Sequence, residues 1–474
     1  MKASMKKMIA MGLVLTMSVS CLAGCGGSDD ANNTDTPAAS EEGGAGESGT
    51  KKTLTDLGGL KVTIGDWYTP ENQEVTTDFE KATEKYREEI MSKYNFEIER
   101  KNAYSYADMQ ETYVTQTMAK NPSCSLYFLY QEMVSQPLMK GLMYNLATVP
   151  TIDLKEEKWN TMVNELMTVG GGTYGMSAEQ EPRGGVFFNK RLLEEAGIDP
   201  EEPYDLQANG EWTWKKFEEY CKKLTKDVDN DGTTDQYAMA SFSKYYLPSA
   251  AANNNAGFIG RDKDGNYVNT TGSKEFLEAM NWAVDLIDKG YIMPKPDGAN
   301  WDWYKAAFRD ADVAMQTAEV YEISAFQQME DDWGFVMFPY NQDNKDATNK
   351  TIPNDNVVCL PSCYSAEEAE KICFAFDLYT ETTPGYDYES TWKETYYNQF
   401  KDSRAVDETL VMMHDDAHKS ISYLPMISDI DYGDFCYSVY AGAETPAKKI
   451  DAIKSKWDAK IKDMNSKYSS FKAD

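Results

Sequence analysis

The chain has 474 residues, 41% of them apolar and 12% aromatic, enough to bury large cores, so two or three domains or two large lobes are expected and global disorder is excluded. A formal charge of −31 argues against nucleic acid and against electrostatic docking on anionic lipid, leaving neutral or cationic partners. With two histidines in the whole chain, general bases and zinc ligands are scarce.

The first element is an export signal. Lys2, Lys6 and Lys7 precede the apolar run MIAMGLVLTMSV, too short to span a bilayer as a stable helix, and the small residues Ala23 and Gly24 follow. Leu22-Ala23-Gly24-Cys25 closely resembles a bacterial lipobox, which implies removal of residues 1–24 and diacylation of Cys25. Two acyl chains give stable anchoring where one is marginal. Residues 26–50 hold no apolar side chain larger than Ala and several acids, so residues 25–57 are expected to be a lipidated, flexible tether. A tether of that length lets the body stand about 25–30 Å from the membrane. The expected location is the outer face of the cytoplasmic membrane of a Gram-positive bacterium.

The body follows in α/β rhythm. LKVTIGDWYT reads as a buried strand entering an aromatic loop, TTDFEKATEKYREEIMSKY as a charged helix, NFEIERKNA as an alternating strand and CSLYFLY as another buried strand. This order predicts right-handed βαβ units on a largely parallel sheet. GGGTYG (residues 170–175) lacks the Gly-Lys-Ser/Thr of a phosphate loop and is expected to be a flexible crossing between lobes. GVFFNKRLLEEAGIDP is a strand feeding a helix that stops at Gly197. Further helical patterns are TWKKFEEYCKKL, FLEAMNWAVDLIDKGYI, SAEEAEKICFAFDLYT and AKKIDAIKSKWDAKIKDM.

The series YGMSAEQEPRGGVFFNKRLLEEAGID, WTWKKFEEYCKKLTKDVDNDGTTDQYAMA, FRDADVAMQTAEVYE and WGFVMFPY resembles the extracellular solute-binding proteins of ABC importers, of the maltose-binding type. The resemblance implies an α/β fold of two lobes joined by crossing segments, with a carbohydrate held between them and delivered to ABC permease subunits. By the same analogy residues 58–170 plus 300–332 form the first lobe and residues 175–298 plus 336–474 the second. The expected protein is a monomer that binds an oligosaccharide and catalyses nothing. A secreted glycoside hydrolase and a surface adhesin or sensor component are the alternatives, the first because carboxylates are plentiful.

Sugar sites set aromatic faces against C–H patches and planar polar groups against hydroxyls, and ligands of open α/β sheets sit beyond the carboxyl ends of strands. Those rules select Trp67 and Tyr68 after the first strand, Tyr104 and Tyr106 after the second, and Tyr130 after the third. Trp301, Trp303 and Tyr321 flank the supposed return through the first lobe, and Arg183, Asn253 and Asn254 are candidate polar contacts on the second.

Asp227, Asp229, Asp231, Thr233 and Asp235 stand at positions 1, 3, 5, 7 and 9 of a calcium-type loop, with Gly232 for the turn. Four carboxylates so close repel one another unless a cation sits among them. Position twelve is Ala238 rather than a bidentate Glu, and Gln236 is the closing ligand by analogy with loops in larger sugar-binding proteins. A structural calcium pinning the preceding helix is expected, at the weak extracellular end of about 10⁻⁴–10⁻³ M. His414-Asp-Asp-Ala-His418 spaces two histidines on one helical face, but Asp415 replaces the Glu of zinc proteases, so a solvated face is expected. Cys124, Cys221, Cys359, Cys363, Cys373 and Cys436 form no C-x-x-C; they could pair outside the cell, but Cys221 and Cys373 fall in helical patterns where a free buried thiol is the commoner case.

Overall fold

Two four-stranded sheets, each flanked by helices, organise the computed structural model, which describes residues 51–71 and 75–471. In the first sheet the order is Val357–Cys359, Leu126–Leu129, Leu60–Asp66, Phe96–Asn102. Leu60–Asp66 pairs in parallel with both of its neighbours, and Val357–Cys359 closes the edge antiparallel. All four residues of Leu126–Leu129 are buried because the sheet is covered on both faces. Leu126 and Phe128 join Val62, Ile64 and the helix Ala366–Tyr379, while Tyr127 and Leu129 pack with Met109 and Tyr113 on the other side.

The helices start where the sequence supplies caps. Thr77 and Glu80 form a capping box on Asp78–Tyr94, and Ser365 and Glu368 another on Ala366–Tyr379. Trp214–Leu224, Lys274–Asp288 and Pro446–Tyr468 occupy the other helical patterns, and Lys190–Glu195 ends before Gly197 at φ 70°.

The second sheet runs Trp333–Val336, Gly184–Asn189, Val313–Glu319, Tyr237–Ser241. It is mixed rather than largely parallel, since Gly184–Asn189 is antiparallel to both of its neighbours. This arrangement corrects the expected division of the chain. Val313–Glu319 is hydrogen-bonded between Gly184–Asn189 and Tyr237–Ser241, so residues 300–332 belong with the second sheet. Conversely Val357–Cys359 and the helix Ala366–Tyr379 belong with the first, which takes them out of the 336–474 segment.

The body also begins earlier than the expected residue 58. Lys51 bridges Glu156 (2.6 Å) and the buried Asp377 (2.9 Å), and Leu57 is buried with its N–H donating to the Tyr94 carbonyl. Residues 51–57 are therefore part of the body. The Gly-rich stretch is not a crossing but a hairpin turn: Thr168–Val169 pairs with Gly172–Thr173, and Gly170 and Gly171 adopt the positive φ (59° and 88°) that such a turn needs. The chain passes between the sheets after Met176, again between Val336 and Val357, and again beyond Tyr379.

All six described cysteines are free, five of them buried. The two histidines share no helical face, because the helix Val411–His414 ends at an extended Asp415. His414 stacks on Trp392 at 3.9 Å between ring centroids, and burial pushes its imidazole down to about 4. His418 sits with Nδ1 2.8 Å from the Asn349 carbonyl, so neither ring lies on the solvated face expected of them.

Candidate functional site

A cavity of ≈ 570 Å³ opens where the carboxyl ends of strands from both sheets meet. Tyr130, directly after Leu126–Leu129, and Tyr106 form its wall on the first lobe, with Gln131 and Glu132. Phe242, directly after Tyr237–Ser241, stands opposite with Lys244 and Tyr245 of the helix Ser243–Ala252. Glu319, the last residue of Val313–Glu319, and Tyr432 complete that side, and Asn354 lies on the second passage between lobes. The size lies within the range of small-molecule sites, and convergence at strand ends is where open α/β sheets place their ligands.

Aromatic rings dominate both walls. Trp67 meets Tyr106 edge-on at 5.9 Å, and Tyr106 meets Tyr130 at 5.8 Å, making a row that leads into the cavity. Across the cleft Phe242 packs on Tyr245 (5.4 Å) and on Trp301 (5.8 Å), and the Tyr245 and Tyr321 hydroxyls are hydrogen-bonded at 2.9 Å. Trp301 and Tyr321 remain more than half exposed, at 56% and 52%. Such rings offer flat apolar faces with polar tips, suited to a ligand that is apolar on its faces and hydroxylated at its edges.

The lobes touch at one side of the cavity. Tyr432 donates to Glu132 Oε1 at 2.6 Å, the Lys244 ammonium lies 3.7 Å from the same oxygen and over the Tyr432 ring, and the Ser135 and Ser428 hydroxyls are 3.0 Å apart. Behind the floor, Arg183 is held by Glu181 at 2.8 Å and lies 3.6 Å from Glu319. Asp355 accepts from Asn160 (2.7 Å) and from the Glu181 N–H (2.9 Å). Burial raises Glu319 above the usual carboxylate range and Asp355 to about 6, each against the opposing pull of Arg183.

Of the eleven ligand contacts expected from the sequence, Tyr106 and Tyr130 line the cavity, and Trp67, Trp301, Tyr321 and Arg183 stand directly behind its lining. Tyr104 does not take part: its hydroxyl is buried between the carbonyls of Gly65 and Phe128, where it ties two strand ends together. Nor does Tyr68, whose hydroxyl joins the Arg100 and Glu179 network beside Asp66. Asn253 and Asn254 are fully buried. Asn253 bonds the backbone of Ser249 and Lys350, and Asn254 bonds the Glu275 carbonyl and the amides of Asn341 and Asn344, so both staple a passage segment. Trp303 packs edge-on to Tyr304 on the second lobe rather than on a return through the first.

The strand-end rule holds for strands of the second sheet as well. Applied to YAMAS it finds Phe242 and Tyr245, and applied to VAMQTAE it finds Glu319. Tyr432 and Ser428 come from a distant segment and carry no local signal.

The acidic loop closes on itself through its backbone. Asp227 accepts from the N–H groups of Asp231 (3.2 Å) and Gly232 (2.9 Å), Asp231 from that of Thr233 (2.7 Å), and Asp235 from that of Val228 (2.7 Å). Carboxylate oxygens of Asp227, Asp229 and Asp235 lie within 4.8 Å of one another, which suits a shared cation. The Gln236 side-chain amide donates to the Leu224 carbonyl at the end of the preceding helix.

Two α/β lobes joined by repeated passages, with an aromatic cleft at the strand ends, define a two-lobed binding fold. A family model described as bacterial extracellular solute-binding protein matches residues 27–368, and the chain belongs to that family. In fold it is similar to a cyclic alpha-maltosyl-1,6-maltose binding protein from Arthrobacter globiformis, at 16% identity over 86% of this chain and 100% of that one, TM-score 0.63. It is likewise similar to the sugar-binding protein MalE from Xanthomonas citri, at 12% identity over 87% and 100%, TM-score 0.60. Among curated relatives, the sn-glycerol-3-phosphate-binding periplasmic protein UgpB of Escherichia coli (strain K12) is 27% identical over 175 residues. That match spans 35% of this chain and 36% of the relative.

Proposed function

We propose that this chain captures a carbohydrate, an oligosaccharide, in the cleft between its lobes and delivers it to the permease of an ABC importer. The observation that carries the reading is the cavity walled by Tyr106 and Tyr130 on one lobe and by Phe242 and Tyr245 on the other. Family membership and neighbours described as maltose- and sugar-binding proteins support it. The same reading makes the chain a carrier rather than a hydrolase or adhesin.

A phosphate ester such as that named for the curated relatives suits this cleft less well. The lining holds Glu132, Glu319 and Asp429 against Lys244, and that lysine is already engaged by Glu132. A doubly charged anion entering there meets repulsion in a setting that screens charge poorly.

The test is a thermal-shift screen of the purified protein against mono- and oligosaccharides and glycerol 3-phosphate, because a ligand of the native state raises its melting temperature. A rise with a saccharide and none with the phosphate ester is expected. A rise with glycerol 3-phosphate alone would overturn the reading.

Two further proposals concern the ends of the chain's function. Cys25 and the tether lie outside the described residues, and the lipobox-like motif supports anchoring through a diacylated Cys25 on the outer face of the cytoplasmic membrane. Cys25→Ser is expected to release the protein from the membrane with its fold intact, and retention of that variant would refute the anchor. The loop of Asp227, Asp229, Asp231, Thr233, Asp235 and Gln236 is proposed to hold a structural calcium, supported by the convergence of three of its carboxylates.

A further inference from the structure

The charges around the cleft do not balance, and the imbalance falls on one residue. Among the carboxylates lining the cavity, Asp429 has Lys460 at 3.1 Å, and Glu132 has both Lys244 and the Tyr432 hydroxyl. Glu319 takes a side-chain hydrogen bond from Asn354, but among the described residues its ion pair is a shared one. Its ion pair is with Arg183 at 3.6 Å, and that guanidinium is held more closely by Glu181 at 2.8 Å. Asp355 also draws on Arg183, so three carboxylates compete for one cation in a largely buried setting. A buried charge is costly unless it is paired, and here the surplus carboxylate faces a cavity.

The surroundings of Glu319 are those of an ammonium site. Glu319 lines the same cavity as Tyr130 on the first lobe and Tyr245 on the second. Aromatic faces attract a cation through their quadrupoles, and a carboxylate beneath them supplies a charge-assisted hydrogen bond. Resting on the carbohydrate reading above, we propose that the saccharide bound here carries a protonated amine, and that Glu319 receives it. A neutral sugar leaves Glu319 with its shared ion pair and the Asn354 hydrogen bond, whereas an amino sugar supplies a cation of its own. The acidity of the whole chain favours the same partner, since a surface of charge −31 concentrates cations near the cleft.

The test compares ligands that differ only by –NH₃⁺ for –OH at one carbon of each ring. Glucosamine and its β-1,4 trimer are matched with glucose and cellotriose, and galactosamine with galactose. Each is titrated calorimetrically into the full-length protein at pH 6, where the amines are charged. At least one amine member is expected to bind about tenfold or more tightly than its hydroxyl match, the scale of one hydrogen bond to a charged group. In Glu319→Gln that ratio is expected to fall below about threefold, with the melting curve recorded to verify folding. Equal or tighter binding of the hydroxyl members by the unsubstituted protein overturns the proposal and leaves the carbohydrate reading standing. Failure of every saccharide, neutral or charged, overturns both. Because the ligand comparison needs no variant, misfolding of Glu319→Gln does not remove the test.

Discussion

Tyr130 lets the contributions of a cleft aromatic be separated by two substitutions. Its ring lines the cavity at a strand end, 5.8 Å from Tyr106, and its hydroxyl accepts from the Asn354 side chain on the passage between lobes. Tyr130→Phe keeps the ring and removes the hydrogen bond that the hydroxyl can donate to a sugar oxygen, worth about 1 kcal/mol net, or roughly fivefold in Kd. Tyr130→Ala removes the ring face as well, a further loss of about 1–3 kcal/mol for an aromatic contact. The alanine variant is therefore expected to bind the oligosaccharide roughly 30- to 900-fold more weakly, a total of about 2–4 kcal/mol. Calorimetric titration measures both variants, with near-ultraviolet dichroism recording the fold. Alanine binding within twofold of the original protein refutes Tyr130 as a ligand contact. Equal losses in the two variants would show that the hydroxyl, not stacking, holds the sugar.

Tyr104→Phe should do the reverse, lowering the melting temperature by a few degrees as the carbonyls of Gly65 and Phe128 lose the one buried hydroxyl they share, at about 1–3 kcal/mol, while sugar affinity stays within twofold. His414 is held neutral in the folded protein, with its imidazole depressed to about 4 from an ordinary 6.5. Protonation then favours the unfolded chain, so its contribution to stability is complete above pH 6.5 and is lost as the pH falls towards 4. His414→Phe should flatten that part of the curve of melting temperature against pH, and an unchanged slope would contradict the assignment. Calcium at millimolar concentration should raise the melting temperature of chelator-stripped protein, and Asp229→Ala should abolish the rise, whereas a calcium-blind melting curve would leave the acidic loop a solvated turn.

What the sequence revealed and what it hid have separate physical origins. Periodicity and caps are local, so Asp78–Tyr94 with its Thr77 box and the buried run Leu126–Leu129 were readable directly. Which sheet a strand joins is set by pairing with distant residues. Val313–Glu319 looks like any buried strand, and nothing within it says that its neighbours are Gly184–Asn189 and Tyr237–Ser241. The cleft was half legible for the same reason. Tyr106 and Tyr130 follow strands of the first sheet that local patterns reveal, whereas Glu319 ends a strand whose sheet is set by distant pairing. Tyr104 and Asn253 show the converse error. They carry the residue types a sugar site needs, but their polar groups are consumed by buried carbonyls, a use that only the folded chain reveals.

The position of a bound saccharide tests the central claim most directly. A crystal structure of the protein with the sugar that gives the largest thermal shift is predicted to show pyranose faces against Tyr106 or Tyr130 and against Phe242 or Tyr245, with both lobes in contact with the same ligand. A sugar seated elsewhere, for example in the pocket edged by the stacked Trp214 and Trp282 on the second lobe, with the cleft empty, would contradict the account.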